Sequence, residues 1–355
     1  MSLLRDLFDL PKIVSPYIFR PLTGAEIFLP HARPASWFSG STAFQPERDI
    51  PSLQGNVILV TGGNAGLGQE TIYQLAQHEP TKIYMAARSA EKAKTAINEV
   101  RQWLREKERA TVPDIEYLQL DLADLNSVAE AARQVLACEK RLDILVLNAG
   151  IMATPPSKTS SGHDLQLGTN HIGHFLLVKL LMPLLLSTAT STELSDVRVV
   201  TVSSEAYNIA PSDFMEMIED HDLLCSSSNY TRYGISKAAN IVFAAELARR
   251  YGPQGVTSVS LHPGVILTQL YDSTRNANFI VRLGLPSFAR LMFDDVPRGA
   301  LGQLFLAAGA KKETLMNGGY YTPVGRRQDI ALTNNEGQAG RLWQWSDEQV
   351  KDYTC

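Results

Sequence analysis

The chain has 355 residues, 45% of them hydrophobic and 20% charged, and a net charge of −4. That length supports one large α/β domain with a full core, and the charge offers no basic field for nucleic acid. Cys138, Cys225 and Cys355 stand at no metal-ligand or disulfide spacing, so no metal site is expected and a reducing, cytoplasmic setting fits best.

In chain order, residues 1–52 read as a proline-punctuated N-terminal arm and residues 53–350 as the domain. Leu3, Leu4, Leu7, Phe8 and Leu10 could make one amphipathic turn. It suits an arm lying over the domain better than a membrane anchor, leaving peripheral membrane contact as the most that is expected. No basic n-region precedes a clean apolar stretch, so no secretory signal is expected.

Val57 to Val60 is a β-rich run that ends in Thr61-Gly62-Gly63-Asn64-Ala65-Gly66-Leu67-Gly68 and opens a helix with apolar Leu67, Ile72 and Leu75. Glycines there permit a tight turn and let backbone N–H groups approach a pyrophosphate at the positive end of a helix. The spacing is T-G-x-x-x-G-x-G. A second strand is expected over Lys82–Ala87, then a charged helix from about Ala90 to Ala110, whose Arg and Glu residues alternate on a solvated face. Further strands follow at Ile115–Leu120, Leu142–Leu147, Val197–Val202 and Val256–Leu261. They end in Asp121-Leu122, Asn148-Ala149-Gly150, Ser203-Ser204 and His262-Pro263-Gly264. Strands alternating with helices predict a Rossmann-type, doubly wound parallel sheet. Ligands bind such sheets at the carboxyl ends of the strands, where every one of these motifs sits. Phe175 to Leu186 is the most apolar run; with Lys179 and Pro183 inside it, it reads as a helix buried against the sheet, too short to span a membrane.

Tyr233-Gly-Ile-Ser-Lys237 places a phenol and an ammonium on one helix face. A nearby positive charge favours phenolate and lowers a tyrosine's pKa toward neutrality, which makes it useful for moving protons.

These motifs, in this order, resemble the short-chain dehydrogenase/reductase family, close to its retinol-dehydrogenase-like and WW-domain-oxidoreductase-like branch. The resemblance runs from about Leu53 to Asp347. It is carried by Thr61–Gly68, Asp121-Leu122, Asn148-Ala149-Gly150, Asn170-His171-Ile172-Gly173-His174-Phe175, Ser203-Ser204, Tyr233–Lys237 and Pro263-Gly264. Asn317-Gly318-Gly319-Tyr320-Tyr321 and Leu342-Trp343 resemble the same branch. The resemblance implies that Tyr233 is the proton donor or acceptor, that Ser204 hydrogen-bonds the substrate oxygen, and that Lys237 binds the nicotinamide ribose. Asn170 would hold a relay water near Lys237. Gly62, Asn64, Gly66, Leu67, Gly68, Asp121, Asn148, Ile266 and Thr268 would contact the cofactor, Thr268 at its carboxamide side or phosphates.

One position departs from the NAD-preferring pattern. The second strand ends in Ala87 and Arg88, with no carboxylate for the ribose hydroxyls and a guanidinium able to fork onto a 2′-phosphate. NADP(H) is therefore expected, bound at least about tenfold tighter than NAD(H). The stretch between Ser204 and Tyr233 is long and is expected to shape the substrate mouth. Gln269 to Phe293 is rich in Phe, Leu and Ile, which suits a lid over a lipophilic or secondary-metabolite ketone, aldehyde or alcohol as well as it suits core or a dimer contact.

The expected function is an NADP(H)-dependent oxidoreductase interconverting a carbonyl and an alcohol. A cofactor-binding regulator without turnover is the alternative, and the intact Ser, Tyr and Lys weigh against it. An epimerase or dehydratase shares the Tyr and Lys but has a different glycine spacing. A homodimer is compatible with the apolar faces of the helices after Asn170 and Thr231, and so is packing on the sheet.

Overall fold

The computed structural model describes residues 44–107, 111–192, 195–264, 266 and 295–353. Its centre is an eight-stranded sheet in the order β3-β2-β1-β4-β5-β6-β7-β8. The strands are β1 (Val57–Thr61), β2 (Lys82–Ala87), β3 (Asp114–Gln119), β4 (Ile144–Leu147), β5 (Val197–Val202), β6 (Val256–Leu261), β7 (Tyr320–Thr322) and β8 (Arg326–Gln328). All neighbours pair in parallel except β7 and β8. The chain moves outward through β2 and β3, then returns to place β4 on the other flank of β1. Strand order reverses between β1 and β4, the switch point at which sheets of this kind bind their ligands.

The expected strands form with small shifts: the third begins and ends one residue earlier than expected, and the fourth begins at Ile144. There, Asp143 turns its carboxylate onto the Val57 N–H at 2.9 Å and takes Arg141 as partner. The β7–β8 hairpin is not foreseen by periodicity because each strand has three residues, too few to show an alternation.

Alternation along β1 explains the layering. Val57 and Leu59 enter one core cluster, with Val128, Phe175, Leu177 and Ile235. Ile58 and Val60 enter the other, with Ile72, Ile97, Ala300 and Leu304. The first cluster lies under helices α3 (Leu125–Cys138), α4 (Gly173–Ala189) and α5 (Asn229–Tyr251). The second lies under α1 (Gly66–Ala76), α2 (Ala90–Glu106) and α6 (Val296–Leu304).

The helical run Leu165–Ala189 is long and apolar enough to cross a membrane by length and composition, yet 67% of its apolar window is buried in the fold. Phe175, Leu176, Leu177 and Leu181 are at most 1% exposed, so it is a core helix, as its sequence suggests. A last helix, α7 (Glu336–Gln349), covers α4 and α5. Trp343 meets Phe175 edge-on at 5.0 Å and lies under the Arg250 guanidinium at 4.4 Å. Ser346 pairs with the buried His171 ring at 2.8 Å.

Of the arm, residues 44–52 are described. Phe44 packs edge-on against Phe305 at 5.4 Å, and Ile50 is 4% exposed, so the packed body reaches back to Phe44. The stretch between Ser204 and Tyr233 folds into short helices, Met215–Glu219 and His221–Ser226, that bury Phe214, Met215, Ile218 and Leu224. Arg341 of α7 forks onto Glu219, and Gln338 donates to the Ser212 carbonyl at 3.1 Å. This insertion is an integral part of the body. The Gln269–Phe293 segment expected as a lid lies outside the described residues.

Candidate active site

The carboxyl ends of β1, β4, β5 and β6 lie side by side, and one residue ties the first two together. Thr61 is fully buried. Its Oγ1 accepts the N–H groups of Asn148 and Ala149, each at 3.0 Å, and its own proton has His174 Nε2 at 2.9 Å. With Thr61 donating, the network assigns the His174 proton to Nδ1, which donates to the Asn170 carbonyl at 3.0 Å. Burial pushes His174 down to about 4, against the opposing pull of that carbonyl, so the ring is neutral and keeps this polarity.

The Gly-rich loop leaves β1 above this hub. Gly62 and Gly66 adopt φ of 64° and 55°, the left-handed region that favours glycine. A β-carbon on Gly68 would lie 2.3 Å from the Gly62 carbonyl oxygen, so only glycine lets α1 begin so close to β1. Ala65 at the head of α1 has no side chain able to cap it. The first N–H groups of α1 are thus left for an anion, and the cradle fits the pyrophosphate of a dinucleotide. Asn64 is half-buried on the same loop. Leu67 and Ile266 meet over Gly299 of α6, where a β-carbon would touch both. Thr268 lies outside the described residues.

Asn148 secures the loop from the β4 side, donating to the Thr61 carbonyl at 2.9 Å. Arg88 follows β2 and is exposed, with its carbonyl held by Gln119 at 3.1 Å. Asp121 follows β3 and turns back onto the Ala123 N–H at 3.0 Å.

The second half of the site is built on α5. Lys237 is 3% exposed; its ammonium donates to the Val202 carbonyl at 3.0 Å and stands 5.6 Å from the centre of the Tyr233 ring. Burial alone pushes it down to about 8. The serine pair divides its work. Ser203 is 2% exposed and donates to the Lys237 carbonyl at 2.7 Å. Ser204 is half-buried, accepts the Ala206 N–H at 3.2 Å, and starts the turn Glu205–Ile209. Ser204 therefore spends a lone pair on its own turn and keeps its proton for another acceptor.

Gly234 explains how that turn and Tyr233 come together. A β-carbon there would lie 2.6 Å from the Ala206 carbonyl oxygen and 3.3 Å from the Ala210 nitrogen. Glu205 fastens the turn on its other side. Its N–H donates to His262 Nδ1 at 3.3 Å and its carboxylate accepts from Tyr320 of β7 at 3.3 Å. Burial pushes the Glu205 carboxyl up, against the Tyr320 and Asn208 hydrogen bonds, and pushes His262 down to about 3.

Asn170 is fully buried on a π turn, Gly168–Ile172. Its side chain brackets the backbone of one residue, accepting from Ile151 N at 2.8 Å and donating to Ile151 O at 2.9 Å, and it also donates to Ser236 Oγ at 2.9 Å. A β-carbon on Gly150 would sit 3.3 Å from both Asn170 Oδ1 and Lys237 Nζ. Asn170, Gly150 and Lys237 are thus brought together at one point of the site. Sequence reasoning missed the roles of Thr61, Gly234 and His262. All three lay inside quoted motifs, and only the partners they meet in space reveal them.

A sequence model described as short chain dehydrogenase matches residues 56–214. The chain is 40% identical over 330 residues to a short-chain dehydrogenase/reductase of Armillaria gallica, covering 90% of this chain and 99% of that one. It is 35% identical to retinol dehydrogenase 12 of Mus musculus, covering 83% and 86%. Among solved structures, an uncharacterized protein from Mycobacterium paratuberculosis superposes with a TM-score of 0.61 at 28% identity, covering 86% of this chain and 97% of that one. NADPH-bound carbonyl reductase from chicken fatty liver, at 20% identity, shares the fold with a TM-score of 0.54, covering 78% and 100%. Sheet order, glycine cradle and paired tyrosine and lysine agree with these likenesses: the chain belongs to the short-chain dehydrogenase/reductase family.

Proposed function

We propose that this protein is an NADP(H)-dependent oxidoreductase that interconverts a lipophilic ketone or aldehyde and its alcohol. The observation that carries the reading is the buried Lys237 ammonium 5.6 Å from the centre of the Tyr233 ring, with Ser204 on the turn that packs against Gly234 of the same helix.

The bound nicotinamide supplies or accepts the hydride. The protein's own groups handle the oxygen. In the reductive direction Tyr233 gives its phenolic proton to the carbonyl oxygen. Negative charge then develops on the phenol, and the adjacent Lys237 ammonium, in a dry setting, favours it. Ser204 donates a hydrogen bond to the same oxygen and holds it in reach of Tyr233. The Thr61–His174–Asn170 chain keeps the two halves of the site in register. The open head of α1 takes the pyrophosphate, and Arg88 takes the 2′-phosphate, for which no carboxylate competes at Ala87.

The test is NADPH consumption with a panel of lipophilic ketones, aldehydes and quinones, for the wild type and Tyr233→Phe. Turnover that collapses in the variant while NADPH still binds supports the reading. Best turnover on small polar carbonyls removes the lipophilic substrate. NADPH binding with no turnover on any compound removes the activity.

A further inference from the structure

The residue just before Tyr233 leads the largest fully buried side chains among the described residues: Arg232 is 0% exposed. Its Nη1 donates to Asp164 Oδ2 at 2.6 Å, with both side chains wholly shielded from solvent. Its Nη2 donates to the Thr154 carbonyl at 3.1 Å and also to Asn229 Oδ1. The other oxygen of Asp164 accepts the N–H groups of Gln166 and Leu167, each at 3.0 Å. Stability alone does not account for such a pair. Removing two charges from water costs several kcal/mol per ion, and apolar side chains of similar volume often serve as well.

What the pair holds is informative. Residues 151–154 follow Asn148-Ala149-Gly150 and have no regular structure, yet three fully buried side chains from other elements fix their backbone. Asn170 brackets Ile151, Gln166 accepts the Ala153 N–H at 2.8 Å, and Arg232 holds the Thr154 carbonyl. Gln166 also donates to the Asn229 carbonyl at 2.9 Å, which ties it to the same turn of α5. Ala153 has φ 52°, a left-handed conformation that costs a residue with a β-carbon about 1 kcal/mol or more. Such strain persists where the surroundings over-determine it, and it gathers at functional sites. The segment follows directly on Gly150, where a β-carbon would lie 3.3 Å from Lys237 Nζ.

We propose that Arg232 and Asp164 are positioning residues. Their buried pair locks the backbone of residues 151–154 to the head of α5, giving the substrate a fixed wall and holding its carbonyl oxygen in register with the Tyr233 hydroxyl. The role rests on the reductase reading above. It needs the planar fork of arginine, since one arm must reach the carboxylate while the other holds Thr154.

The test compares the wild type with Arg232→Gln/Asp164→Asn, which removes both charges and keeps the capping carbonyl, and with Arg232→Lys, which keeps the charge and loses the fork. Thermal unfolding, NADPH affinity, kcat and KM are measured on the best carbonyl substrate. The expected result is that both variants fold and bind NADPH within about twofold of wild type while kcat falls about tenfold or more, since misplacement by an ångström can cost a hundredfold. Wild-type kcat in Arg232→Lys, or in a double variant with a lowered Tm, assigns the pair to stability and overturns the proposal. So does an Arg232→Lys protein that fails to fold. A wild type that binds NADPH but turns over nothing overturns the reductase reading itself, an outcome read before either variant is made.

Discussion

Lys237 Nζ lies 5.6 Å from the centre of the Tyr233 ring and gives its one identified hydrogen bond to the Val202 carbonyl, at 3.0 Å. No carboxylate is recorded beside it among the described residues. Among the described residues it is a buried cation without an ionic partner, one turn of helix from the Tyr233 phenol.

Lys237→Met is therefore expected to raise Tm and abolish turnover. Burial pushes the ammonium from 10.5 to about 8, which amounts to destabilisation of roughly 3 kcal/mol at neutral pH. A lysine pKa lowered by folding penalises the folded state fully below about 8, and the penalty fades as pH rises toward 10.5. The stability gap between variant and wild type should narrow over that window. Denaturant unfolding of both proteins across the same pH range checks it; equal stability at every pH would sink the idea.

Gly234→Ala should cost activity more than stability. Its β-carbon would press on the Ala206 carbonyl at 2.6 Å and drive the Ser204 turn away from α5. Overpacking of this kind costs about 1–3 kcal/mol. The expected loss in kcat is about a hundredfold, because Ser204 and Tyr233 must meet one oxygen. NADPH affinity should be unchanged, since the Gly-rich loop lies on the other half of the site. Steady-state kinetics with cofactor titration separates the two effects.

Arg88→Ala should weaken NADPH binding about tenfold or more and leave NADH nearly unaffected. Arg88 is exposed, so the change should leave stability within about 0.5 kcal/mol. Titrating cofactor fluorescence for both nucleotides gives the ratio directly. Parallel losses for NADH and NADPH would argue that Arg88 does not read the phosphate.

Thr61→Val keeps the shape and removes the hydroxyl. The Asn148 and Ala149 N–H groups would lose their shared acceptor, and each buried donor left unpaired costs about 1–3 kcal/mol. Thr61→Ser should restore most of the stability. Chemical denaturation of the three proteins decides it, and a neutral Thr61→Val would mean that the hub is dispensable.

Most of the architecture was legible in the sequence because it is local. The strands β1, β2, β5 and β6 are rich in β-branched and apolar residues and are buried along almost their whole length in a sheet covered on both faces. The Tyr233–Lys237 pair follows from helix pitch alone. The glycine cradle follows from backbone sterics.

What only the tertiary structure decided depends on contacts between residues far apart in the chain. The Thr61 hydroxyl acquires its role from Asn148 and His174, and Gly234 from a carbonyl at Ala206. Arg232, one residue before the Tyr233–Lys237 motif, proves to be a buried clamp on Asp164 and Thr154. The β7–β8 hairpin exists because β6 offers an edge to pair with, and three residues per strand carry too little pattern to announce it. Periodicity and local propensity specify which elements form; close approach, burial and hydrogen-bond partnership arise only once those elements share a volume, and there the chemistry of the site is set.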